Sequence, residues 1–105
     1  MKPLNSILIE GDLADAPVLS VGSDDLSVCS FSIVSGTDTP SVPIVAYSRL
    51  ATRCKELLDR GSSIRVVGRI AQDREASAAS GAFKLHIIAE HIEIKPSVAH
   101  RAEVA

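Results

Sequence analysis

The chain has 105 residues, 46% of them hydrophobic, with a formal net charge of −2 and an aromatic complement of one Tyr, two Phe and no Trp. That length makes one domain with a buried core. No run approaches the roughly 18 apolar residues of a membrane span, and charge enters the N-terminus too early for a signal peptide, so the expectation is a cytoplasmic protein without a membrane partner. Two cysteines, Cys29 and Cys54, fit a reducing compartment and do not make a disulfide framework.

The modest net charge hides an asymmetry. Residues 1–48 hold one base (Lys2) against six acids, whereas residues 49–74 hold seven bases and three acids. A basic segment in an acidic chain is a candidate anion-binding patch, although a solvated helix and hairpin would carry the same charges.

In chain order, "NSILIEGDL" (5–13) is rich in β-branched residues and reads as a strand. Asp15–Pro17 interrupts it and "VLSV" resumes it. The turn cluster at 22–25 leads into a second strand over 26–35, with Cys29, Phe31 and Ile33 on one face. A loop at 36–41 precedes a third strand, 42–47, in which Pro43 requires an edge or a strand start. The period then changes. Ser48 can cap a helix over 49–60 that Gly61 closes, and Leu50, Cys54, Leu57 and Leu58 fall on one apolar stripe, making Cys54 a core thiol. A fourth strand spans 63–72, a polar hairpin tip 74–82, and a fifth strand 83–94, ended by Pro96. The apolar parity of the fifth strand shifts between Ile87 and Ile88, where a bulge or corner is expected. Residues 1–96 form the domain and 97–105 a loose tail.

The order β–β–β–α–β–β is the plan of the OB-fold, a mainly β, five-stranded Greek-key barrel with one helix between strands 3 and 4, and of several α+β folds besides. In the fourth strand, Arg65, Val67 and Arg69 share the face opposite the core. A valine between two arginines needs an apolar neighbour, and the arginines need carboxylates, with Glu10 or Asp12 as candidates.

No enzyme signature is present. His86 and His91, five apart on a strand, are expected on opposite faces and with Glu90 do not reach metal-ligand spacing. None of the serines sits in a nucleophile-elbow pattern, and no glycine-rich phosphate loop exists. No cofactor is expected.

At "NSILIEGDL", "VCSFSIV", "VPIVAYSRLA" and "IRVVGRIAQDR…IIAEHIEIKP" the chain resembles the bacterial single-stranded DNA-binding protein family over residues 4–96. The resemblance implies an OB-fold that assembles as a homotetramer, a dimer of dimers, and binds single-stranded DNA without sequence preference in replication, recombination or repair. Such binding combines basic groups with aromatic platforms, each stacked base contributing about 1–3 kcal/mol. Matched position by position, the stacking aromatic before the helix falls on Tyr47, but two others fall on Ser41 and Glu75. The loop that carries a further tryptophan is shortened to "SGTDTPS". Arg49, Arg60 and Arg74 match basic positions, and Lys84 completes the expected nucleic-acid-binding set. Phe31 matches a core position, while Phe83 fits either a stacking ring or a plug at the barrel rim. The outer face of the fourth strand belongs, in the family, to the sheet through which subunits pack, which favours subunit contact for Arg65 and leaves Arg69 open. "RAEVA" is not the family's acidic, hydrophobic-ended tip. Set against DNA binding is a module that keeps the assembly, has lost strong DNA binding, and acts through protein–protein interaction. A primosome-type accessory protein would share the fold and the DNA preference.

Overall fold

The computed structural model describes residues 4–22, 24–36, 40–73 and 84–95. Arg74, Glu75, Phe83, the hairpin tip and the tail 97–105 lie outside the described residues. Six strands and one helix follow in the order β1 (Ile7–Leu13), β2 (Val18–Val21), β3 (Ser27–Val34), β4 (Val42–Tyr47), α1 (Ser48–Leu57), β5 (Ser63–Asp73) and β6 (Lys84–Ile94). One sheet runs β1-β5-β6-β4-β3-β2, and β1 also pairs with β3, closing the barrel. This is the mainly β OB architecture, with the helix between β4 and β5.

The expected first strand is two strands on one neighbour. Leu13 lies opposite Ile33 and Val18 opposite Ser30, both on β3, so the β1–β2 side carries two extra residues across the break. Pro17, which has no N–H to donate, sits at that break. Alternation then sorts the faces. Cys29, Phe31 and Ile33 of β3, Ile44 and Ala46 of β4, Ile64 and Val66 of β5, and Ile87 and Ala89 of β6 point into one core with Leu13.

The helix is shorter than its sequence pattern and buries a different stripe. It ends at Leu57 because Leu58 turns extended (φ −105°, ψ 144°), its N–H bonding the Cys54 carbonyl. Leu58 enters the core with Ala51 and Cys54, while Leu57 stays exposed. The chain then turns over 59–62. Gly61, at φ +89°, donates its N–H to the Leu13 carbonyl and ties the turn to the end of β1.

The irregularity in β6 falls later than Ile87/Ile88. Val67 faces His91 and Gly68 faces Ala89, so Glu90 is the extra residue. Gly68 is required there, since a Cβ would meet the Ile88 carbonyl oxygen. The bulge overturns one expectation. Cross-strand partners share a face, so His86 (opposite Ala71) and His91 (opposite Val67) both point outward.

Candidate nucleic-acid interface

Tyr47 ends β4 and occupies the N-cap position of α1 with an extended backbone (φ −122°, ψ 156°). Tyr47 is 37% exposed, and its β3 partner is Val28. Ser48 does not cap the helix as its type implies. It is the first helical residue, at φ +58°, a left-handed conformation that costs a non-glycine residue about 1–2 kcal/mol. No side chain caps the helix, and its first turn holds no acid. Nothing near Tyr47 on α1 therefore neutralises Arg49, which is exposed two residues on.

Arg53 follows one turn after Arg49, on the same side of the helix. Neither arginine has a carboxylate partner among the described residues, and the same holds for Arg60 in the turn beyond α1. Lys55 differs, since its Nζ donates to the Pro17 carbonyl at 3.0 Å and anchors α1 to the break between β1 and β2.

The expected site residues do not form one cluster. Tyr47 and Arg49 stand together at the start of α1. Arg60 lies beyond the far end of that helix, about 15 Å long by its ten residues. Lys84 opens β6 opposite Asp73. Because β4 and β6 run parallel with Val45 beside Ile88, Lys84 sits at the opposite end of the sheet from Tyr47, about 20 Å along the strands. Arg74 lies outside the described residues.

The face between those two ends carries no charge among the described residues. Outward-pointing positions are Val18 and Ser20 on β2, Val28, Ser30, Ser32 and Val34 on β3, and Pro43 and Val45 on β4.

The other outer face, on β1, β5 and β6, is charged but internally paired. Arg65 places Nε and Nη2 each 2.8 Å from Glu10 Oε2, and its Nη1 lies 3.4 Å from Glu93 Oε1. Arg69 Nε lies 3.6 Å from Glu90 Oε2, and Lys95 Nζ 3.5 Å from Glu10 Oε1. The hydrogen bond from Arg65, then the Lys95 charge, holds the Glu10 carboxyl below its usual range. Of the two carboxylates expected to meet Arg65, Glu10 does so, while Asp12 accepts from Ser63 Oγ at 2.6 Å. Val67 stands in a row between Leu8 and His91. The signal missed in the sequence was Glu90, which the bulge brings to Arg69.

Both cysteines are buried. Burial raises the Cys54 thiol to about 11, Cys29 adding to the effect, and burial raises Cys29 against the pull of Lys55. Neither is a thiolate nucleophile at neutral pH. No cluster of three or more His, Cys, Asp or Glu suited to a metal ion occurs among the described residues. No helix among them is long and apolar enough to cross a membrane.

Comparison with known proteins adds the family. Residues 4–95 match the model of the single-strand binding protein family. Among solved structures, the wild-type single-stranded DNA binding protein from Thermus aquaticus is similar at a TM-score of 0.77 and 23% identity, over 90% of this chain and 41% of that one. The chain thus spans about two-fifths of that protein's length. The SSB domain of a protein from Synechococcus sp. is similar at a TM-score of 0.75 and 13% identity, over 89% of this chain and 98% of that one. At these identities the structural likenesses establish the fold.

Proposed function

Because the chain belongs to the single-strand binding protein family, we propose that it binds single-stranded DNA without sequence preference, in the cytoplasm, during replication, recombination or repair. The observation that carries this reading is the pairing of an exposed ring with an unneutralised cation. Tyr47 is exposed at the end of β4, and Arg49 stands two residues later with no carboxylate partner among the described residues. A base on the ring has its phosphate near the guanidinium, which joins stacking and charge, the two terms of single-strand binding. With Tyr47 the one platform among the described residues, affinity is lower than a full set of rings would supply.

The test is an anisotropy titration with labelled oligo-dT at low and moderate salt. Tyr47→Ala should lose about 1–3 kcal/mol of affinity and keep its melting temperature, and Tyr47→Trp should restore binding. A flat titration for the wild type would leave the module that acts through protein–protein interaction.

The second part of the proposal is assembly as a homotetramer, a dimer of dimers. The stretch Ile7–Gly11 of β1 bonds to β5 on one side and to no described strand on the other. The adjoining outer face sets Leu8, 67% exposed, opposite Val67 among the ion pairs, with Ile88 opposite Arg69 one strand further on. An edge and a face of this kind suit self-complementary contact. Sedimentation of a monomer at micromolar concentration would overturn the assembly.

A further inference from the structure

Two routes lead away from Tyr47. One crosses the outer face of β3 and β4 towards Lys84 and meets only valines, serines and a proline. The other follows α1, where Arg49 and Arg53 stand one turn apart without carboxylate partners among the described residues and Arg60 waits beyond the helix end. A polyanion gains from cations that nothing else neutralises, and it releases counterions for each phosphate so met.

Beside Arg53 the helix and β6 enclose an aliphatic groove of about 180 Å³, lined also by Leu50, Leu57, Leu58, Ile92 and Ile94. Leu57 is 52% and Ile94 49% exposed, a wide opening for two aliphatic side chains. The groove borders the same arginine that extends the charge of Arg49.

We propose that the groove between α1 and β6 is a second base-binding subsite, and that a single strand leaving Tyr47 runs along α1 with its phosphates on Arg49 and Arg53. The inference rests on the reading of the chain as a single-strand binder and fixes which way the strand turns. The groove takes the base by apolar contact, and the Arg53 guanidinium beside it meets the phosphate. Arg60 receives the next phosphate at the far end of the helix. The strand therefore avoids the uncharged face of β3 and β4.

Oligo-dT titrations across a salt series test this with three variants. Arg53→Glu should weaken binding and make the log–log salt slope shallower by about 0.7, the share of one phosphate contact, while Arg53→Lys keeps the slope. Leu57→Ser, at an exposed position, should weaken binding roughly fivefold with the slope unchanged. A wild type that binds oligo-dT with Tyr47-dependent affinity, yet tolerates Arg53→Glu and Leu57→Ser, overturns the helix route and leaves single-strand binding intact, freeing the groove for a protein partner. A change of sedimentation coefficient in Leu57→Ser also overturns it, because a second copy then covers the groove. A wild type that binds no oligo-dT removes the underlying reading itself.

Discussion

Arg65 and Arg49 are the same residue type, both exposed, and they stand in opposite circumstances. Arg65 lies between Glu10 and Glu93 on the outer face of β5, with Lys95 held by the same Glu10. Arg49 heads an acid-free helix turn, and Arg53 and Arg60 follow it without carboxylate partners among the described residues. Net charge counts both sets alike. A phosphate does not, because displacing a carboxylate oxygen already held by two guanidinium nitrogens sacrifices an interaction already made, whereas an unpaired guanidinium loses only water and counterions. Among the described residues, the basic segment therefore divides into arginines without carboxylate partners on and just beyond α1 and a half on β5 committed to its own sheet.

The most disruptive way to separate the halves is at the bulge. Gly68 lets β5 and β6 approach at the step that brings Glu90 round to Arg69. A methyl group there meets the Ile88 carbonyl oxygen and lies 3.2 Å from the Ala89 Cα, both backbone. Gly68→Ala should cost about 3 kcal/mol in a urea titration. The Tyr47-dependent part of the oligo-dT affinity should survive in the folded fraction, since α1 and Tyr47 are built on β3 and β4, whereas the groove walled by Ile92 and Ile94 lies just past the bulge. Loss of binding in a protein still folded would mean that the two halves act together.

Much of this was readable from the chain because alternation is a local property. The inward sets Cys29–Phe31–Ile33 and Ile64–Val66 follow from period two alone, and the break at Asp15–Pro17 follows from proline chemistry. The misread features are the ones tertiary contact decides. Ile87 and Ile88 look like a parity shift, yet Ile88 is an outer residue half-covered beside Val45, and the extra residue is the polar Glu90. Leu57 and Leu58 both fit the helical stripe, but the chain leaves the helix to bury Leu58, and Ala51 takes the inner place. For the site, Tyr47 was marked by family resemblance and not by any pattern. Which arginines were already paired was invisible, because Glu10 and Arg65 lie 55 residues apart.

A middle-sized effect comes from beneath the helix. Cys54 supports α1 from inside the core, and its thiol is raised from 9.0 to about 11 by burial, with Cys29 adding to it. The unfolded chain ionises this thiol near its usual value, while the folded chain keeps it neutral. Stability from this group is thus complete below pH 9 and lost as pH rises from about 9 towards 11. The loss reaches about 2 kcal/mol. Urea titrations at pH 8, 9 and 10 should show the decline, and Cys54→Ser should flatten it. An equal decline in Cys54→Ser would move the alkaline sensitivity elsewhere.

The smallest effect isolates the committed half. The hydrogen bond from Arg65 and the charge of Lys95 hold Glu10 below its ordinary pKa of 4.5. A carboxylate depressed in the folded state stabilises above its unfolded value and stops doing so as pH falls through the folded one. The Glu10 contribution is therefore present at neutral pH and disappears on acidification below about 4.5. These groups are exposed, so solvent screens most of the attraction. Glu10→Gln should slightly lower the melting temperature at pH 7 and remove the difference from wild type under acid conditions. Arg65→Ala should do the same at pH 7, since it removes the Arg65 partner of Glu93 and leaves Glu10 with Lys95. Neither change should alter the salt dependence of oligo-dT binding, whereas Arg49→Ala should make that slope shallower by about 0.7 and leave the melting temperature in place. If Arg65→Ala makes the slope shallower by the same amount, a phosphate displaces Glu10 from Arg65, and the division between the two halves does not hold.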